Sequence, residues 1–189
     1  MNGRRIEIRA SALAGLLGLS RERRGDERGF FSRFFCADEL ASAGFDSSVA
    51  QVNHSCTAQR GSVRGMHLQR PPHAEVKIVS CIRGSVFDVA VDLRKRSPTF
   101  LQWHGEVLSA SNMRSLLIPR GFAHGFQTLE DGCELIYLHS HQHAPASEWG
   151  CGPNDPLLAI RWPLPLAHLS PRDRSFAPLD SSFDGFDLS

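Results

Sequence analysis

The run Val86-Phe87-Asp88-Val89-Ala90-Val91 decides the fold. It is short, apolar and rich in β-branched residues, and the turn signal Arg83-Gly84 stands just before it. Working outward, similar stretches recur at Val76-Lys77-Ile78-Val79, Ser115-Leu116-Leu117-Ile118 and Glu134-Leu135-Ile136-Tyr137-Leu138. Turns are marked by Ser97-Pro98, Pro119-Arg120-Gly121, Asp131-Gly132 and Asn154-Asp155-Pro156. Many short strands at fairly even spacing predict an all-β sandwich or barrel. Asp38 is the expected cap of one short helix through Glu39, Leu40, Ala41 and Ser42, ending at Gly44. Beyond Pro163 the chain is rich in proline, serine and aspartate, and this tail is expected to lie over the sandwich with its last residues loose.

With 189 residues and 41% hydrophobic content, the chain has material for one sizeable core and is short for two ordinary domains. One domain over residues 1–189 is expected, its core at about 16–163 and the segment 164–189 packing over it. Lysine and arginine total 21 against 20 aspartates and glutamates, so no overall field gathers the protein on nucleic acid or an anionic membrane. Any anionic partner must be met locally. Cys36, Cys56, Cys81, Cys133 and Cys151 are odd in number and lack CxxC spacing, which matches neither a disulfide framework nor a zinc ribbon and points to a reducing cytoplasm. Arg4 and Arg5 ahead of the run from Ala12 to Leu19 imitate a targeting signal. Glu7 interrupts it, it falls far below the roughly 20 residues of a membrane span, and no small-x-small cleavage site follows. An N-terminal strand and turn is the expectation.

Nine histidines raise the question of a metal. Gly61, His67, Gln69 and Glu75 follow the order of the first cupin metal motif, and Pro119-x-Gly121-x-x-His124 that of the second. Gln69 stands where a second histidine is needed, and Thr128 stands where an asparagine follows His124. Two imidazoles and a carboxylate not secured as a ligand fall short of the three good protein ligands a stable site needs, so no metal is expected. His139, His141 and His143 alternate as on a strand and are read as one solvated or base-contacting edge.

Without a metal, the same residues form an acid–base set: His67, Lys77, His124, Tyr137 and Asp173. Five strings then make the reading specific: Gly25-Asp26-Glu27-Arg28-Gly29-Phe30-Phe31, Val63-Arg64-Gly65-Met66-His67-Leu68-Gln69, Val86-Phe87-Asp88-Val89-Ala90-Val91-Asp92-Leu93-Arg94, Ser97-Pro98-Thr99-Phe100 and Ile118-Pro119-Arg120-Gly121-Phe122-Ala123-His124-Gly125-Phe126. In order and content the chain resembles the dTDP-4-dehydrorhamnose 3,5-epimerase family from about Leu16 to Pro178. The resemblance implies a cupin jelly-roll β-sandwich with short peripheral helices, no cofactor, and a homodimer in which N-terminal strands can be exchanged. It makes His67 the base, Asp173 the carboxylate that orients it, and Tyr137 the acid across the sugar ring. The Asp173 alignment needs a one-residue gap after Pro163. Lys77 and His124 fall near the keto oxygen and sugar, and Arg28 and Arg64 on the diphosphate. Arg33, Gln51, Asn53, Gln142 and His143 complete the expected substrate-binding set.

The chemistry is coherent in its own terms. A hydrogen beside a ketone is acidic only where the enolate oxygen is stabilised, and a lysine ammonium shielded from water does that. An imidazole takes up a proton near neutral pH, and a carboxylate on its other nitrogen fixes the tautomer. Inversion requires the new proton to come from the opposite face, and the phenol of Tyr137, the chain's only tyrosine, holds one to give. Arginine offers a diphosphate a rigid fork of donors. Arg94 is read as a structural ion-pair partner, and Phe30, Phe31, Phe34 and Phe35 as core or dimer-interface aromatics.

Two positions depart from the family. Arg33 replaces a glutamate, and Gln142 replaces a tyrosine able to stack on the base. A carboxylate accepts from thymine N3–H and a guanidinium cannot, whereas the unprotonated N3 of cytosine accepts from arginine. A CDP- or GDP-linked sugar therefore stays open beside a dTDP-linked one, as does inversion at one carbon instead of two. A non-catalytic sugar-nucleotide-binding module and a metal-dependent cupin oxygenase are the readings from other classes.

Overall fold

The computed structural model describes residues 5–188, so Arg4 of the imitation targeting signal lies outside them. Thirteen strands and two short helices follow in order: β1 (Ile6–Ala10), β2 (Leu17–Arg21), β3 (Arg23–Asp26), β4 (Gly29–Ser32), α1 (Ala37–Ala41), β5 (Gln51–Thr57), β6 (Val63–Gln69), β7 (Lys77–Arg83), β8 (Ser85–Asp92), β9 (Trp103–Ser109), β10 (Arg114–Ile118), β11 (Phe122–Thr128), β12 (Cys133–His139), β13 (Glu148–Gly150) and α2 (Pro171–Ser175). They form a jelly-roll sandwich. One sheet runs β1-β2-β10-β7-β12-β5 and the other β13-β6-β11-β8-β9, while β3 and β4 make a separate hairpin. The expected strand and turn at the N-terminus is present as β1, a turn and β2, with Leu13 and Leu16 buried in the core.

Val79, Leu116, Ile118, Phe122, Phe126 and Leu135 meet between the sheets. Both sheets are also covered outside. Leu40 and Phe45 pack on Ile78, Leu117 and Leu138, and Trp162, Leu179, Phe183 and Phe186 pack around Val89, Val91 and Leu93. A strand buried on both faces reads as a continuous apolar run and loses the alternation of a half-exposed one, which is why Val86–Val91 looks as it does. Asp92 anchors the end of that strand. It accepts from Arg94 at 2.7 and 2.8 Å, from Ser97 and from Thr99, so Arg94 is structural as expected.

Three expectations need correction. The helix begins at Ala37, with Cys36 in the extended conformation of an N-cap, so Asp38 lies in its first turn and does not cap it. The C-terminal residues are ordered as far as Phe186, whose backbone bonds to Leu93 and Lys95, while the ring of Phe183 stacks on Trp149 at 5.7 Å between centroids. β12 stops at His139 because Val76 and Ser140 close onto each other, so His141 and His143 leave the strand and do not share an edge with His139.

Candidate active site

A cavity of about 660 Å³ opens between the two sheets where β5, β6, β7, β11 and β12 converge. Strand parity aims the chemistry into it. On β12, Cys133 and Leu135 enter the core, and Tyr137 and His139 continue on that face into the cavity. Lys77 on β7 lies opposite His139, and His124 on β11 lies opposite His67 on β6. Arg64 and His67 are three residues apart and should face opposite ways. The register shift between β6 and β11 brings both to the cavity. The shift needs glycine at position 65: its φ is +126°, and a Cβ there would stand 2.5 Å from the Cα of Gly125.

Asp173 arrives from the tail. Pro171 opens α2, and Ser170 caps it by accepting from the Asp173 N–H at 3.0 Å. The carboxylate then meets His67 Nε2 at 2.7 Å. Burial would push Asp173 up, but the bond and charge of His67 together with donors from Ser170 and Gly65 hold it below the ordinary carboxylate value. An ionised carboxylate only accepts, so in the neutral imidazole Nε2 carries the hydrogen and Nδ1 has the lone pair. The structure thus brings Asp173 beside His67.

Lys77 is buried and ion-paired with Glu75 at 2.9 Å, and the other oxygen of Glu75 takes His139 Nδ1 at 2.9 Å. Burial raises Glu75, yet Lys77 and His139 outweigh that and bring it from 4.5 down to about 2. A carboxylate lowered on folding stabilises the fold above its unfolded value, and that stability is lost as pH falls from 4.5 toward about 2. The amount is on the order of 3 kcal/mol. Urea unfolding at about pH 6 and about pH 3 should therefore show the advantage of wild type over Glu75→Gln shrinking in acid. An advantage independent of pH would contradict this account of the pair.

His124 Nε2 bonds to Asp88 Oδ2 at 2.8 Å, and burial pushes the Asp88 carboxyl up against the pull of His124 and Lys77. The Tyr137 phenol is also raised, chiefly by burial and further by Asp88, while Ser55, at 3.1 Å from its hydroxyl, and the charge of Arg64 partly offset this. Its proton is therefore held until an acceptor as strong as a carbanion is beside it. The guanidinium of Arg64 has no acidic partner among the described residues, and its single bond is to Cys56 O at 3.4 Å.

Gln51, Asn53 and His143 also line the cavity. Arg28, Arg33 and Gln142 do not, which corrects their expected placement within this chain. Arg28 sits in the β3–β4 turn, 84% exposed, bonded to Asp26. Arg33 is ion-paired with Glu39, which also accepts from the N–H groups of Arg5 and Ile6 and so ties β1 to α1. Gln142 turns its side chain to solvent, and its backbone oxygen accepts from Gln69. Gln69 is itself occupied with backbone groups of His73, Gln142 and Ala144, and Glu75 with Lys77 and His139. Among the described residues no group of three or more histidine, cysteine or acidic side chains is arranged to hold a metal. Asp88, Ser55 and the role of Glu75 as the lysine's partner went unread in the sequence. Asp88 had a visible signal, as the one charge inside Val86–Val91.

A family model described as dTDP-4-dehydrorhamnose 3,5-epimerase matches residues 10–181. The chain is 44% identical over 162 residues to the dTDP-4-dehydrorhamnose 3,5-epimerase of Salmonella typhimurium, covering 84% of this chain and 87% of the relative. It is 41% identical over 170 residues to the dTDP-4-dehydrorhamnose 3-epimerase of Streptomyces niveus, covering 89% and 82%. The crystal structure of dTDP-6-deoxy-D-glucose-3,5-epimerase from Legionella pneumophila, in complex with dTDP-4-keto-L-rhamnose, superposes with a TM-score of 0.89 at 37% identity over 97% of this chain and 100% of that one. Fold and relatives together define an isomerase, a carbohydrate epimerase built on the cupin jelly roll. Within that class, the chain belongs to the dTDP-4-dehydrorhamnose 3,5-epimerase family.

Proposed function

We propose that this enzyme inverts C3 and C5 of a dTDP-4-keto-6-deoxyhexose in deoxysugar biosynthesis, with His67 as base and Tyr137 as acid. One observation carries the reading. His67 projects from the β6 sheet and Tyr137 from the β12 sheet into one cavity, so a sugar ring between them offers each a different face. Nδ1 of His67 takes the proton beside the ketone while Asp173 balances the imidazolium. The ammonium of Lys77 and the ring of His124 stabilise the enolate oxygen, Tyr137 delivers a proton to the far face, and Arg64 binds the diphosphate. No step calls for a metal or another cofactor.

An arginine reading the base would favour cytosine or guanine, but Arg33 is engaged by Glu39, and that supports a dTDP sugar. The name of the Streptomyces niveus relative keeps inversion at C3 alone as the second reading. The enzyme works in the cytoplasm as one domain and as a homodimer. Phe30 and Phe31, 56% and 65% exposed on the β3–β4 hairpin, suit contact with a second copy and would carry Arg28 to that copy's diphosphate. No helix among the described residues is long and apolar enough to cross a membrane.

Incubation with dTDP-, CDP- and GDP-4-keto-6-deoxyglucose in deuterated water containing a chelator tests the proposal. Expected are inversion of the dTDP sugar and deuterium at both C3 and C5. Label at C3 alone selects the second reading, and inactivity that one divalent ion restores overturns the cofactor-free mechanism.

A further inference from the structure

Each inversion leaves the proposed catalyst in the wrong state, with His67 protonated and Tyr137 deprotonated. Before the next inversion, His67 must release its proton and Tyr137 must regain one. The phenol is half-buried on the cavity wall, and its hydroxyl has one hydrogen-bond partner among the described residues, the Ser55 hydroxyl at 3.1 Å. Ser55 lies on β5, the edge strand of its sheet, half-buried and on the cavity wall. A hydroxyl both donates and accepts, so it can pass a proton without changing its own charge.

We infer that Ser55 returns the proton to Tyr137 after each inversion, its O–H donating to the phenolate as its oxygen accepts a proton from water in the cavity. The proton entering through Ser55 matches the one His67 releases to solvent, so the cycle closes with no other reactant. In this proposal Ser55 acts through Tyr137 and not on the sugar. The inference rests on Tyr137 being the acid.

Ser55→Ala tests it, with Ser55→Thr as the variant that keeps the hydroxyl and Tyr137→Phe as the control on the reading beneath. In Ser55→Ala the steady-state kcat should fall about tenfold to a hundredfold. KM should hold within about twofold, since no sugar contact is lost. With enzyme in excess, the first carbon inverted should be slowed less than the steady state, because its proton is already on Tyr137. Ser55→Thr should restore kcat. Equal losses in first turnover and steady state, or a wild-type kcat, overturns the relay. If instead Tyr137→Phe inverts both carbons at wild-type rates, the acid assignment itself is wrong.

Discussion

His67→Asn is expected to abolish both epimerisation and deuterium exchange at C3 and C5, a loss of roughly 10³-fold or more, or about 4 kcal/mol of transition-state stabilisation. Asparagine is smaller than imidazole and reaches only as far as Nδ1, so the bond to Asp173 is lost, but His67 lies on the cavity wall and the fold should survive. The amide has no lone pair basic enough to take a proton from carbon. His124 makes the same kind of pair, through Nε2 with Asp88, but its ring is buried where that of His67 is half-exposed to the cavity, and His139 is held through Nδ1 by Glu75. Asp173→Asn should cost less, because it removes the charge that balances the imidazolium and disturbs the tautomer but leaves the base in place. Exchange measured carbon by carbon, with circular dichroism to verify folding, checks both. Loss at one carbon with wild-type exchange at the other would mean that a different base serves the second.

Tyr137→Phe should separate the two halves of the reaction. The change removes one oxygen from a side chain whose ring stacks near His139 and meets His124 edge-on, so packing and sugar binding should persist. Proton abstraction by His67 continues, and the enolate then recovers a proton from the side it left or slowly from water. Inversion should fall about 10²-fold or more while exchange is retained. The deficit should differ between the two carbons, since one phenol cannot be equally well placed for both.

Much of this was legible in the sequence, for reasons that particular residues make plain. Val86–Val91 read as a strand because burial on both faces strips it of polar positions. His67, Lys77, His124 and Tyr137 were legible because each sits in a string whose spacing the strand parity enforces. Asp173 depended on an alignment gap, although Ser170-Pro171-x-Asp173 is itself a helix-start signature that places it. What went unread depends on contacts distant in sequence. Ser55 meets Tyr137 diagonally across the β5–β12 pair, where Leu135 lies opposite Ser55 and Asn53 opposite Tyr137. The end of β12 is set by Val76, more than sixty positions earlier. Period-two spacing at His139, His141 and His143 imitated a strand that the Val76 contact had already ended. A linear motif also cannot say where the fold carries an arginine, and Arg28 stands exposed on the β3–β4 hairpin, away from the cavity of its own chain.

The central claim is that His67 and Tyr137 act on opposite faces of one sugar. It is tested most directly by following, in deuterated water, deuterium incorporation against formation of inverted product at each carbon for wild type and Tyr137→Phe. The account predicts that exchange and inversion keep pace in the wild type and that exchange outruns inversion in the mutant. Inversion of both carbons at wild-type rates in the mutant, or the joint disappearance of exchange and inversion, would contradict it.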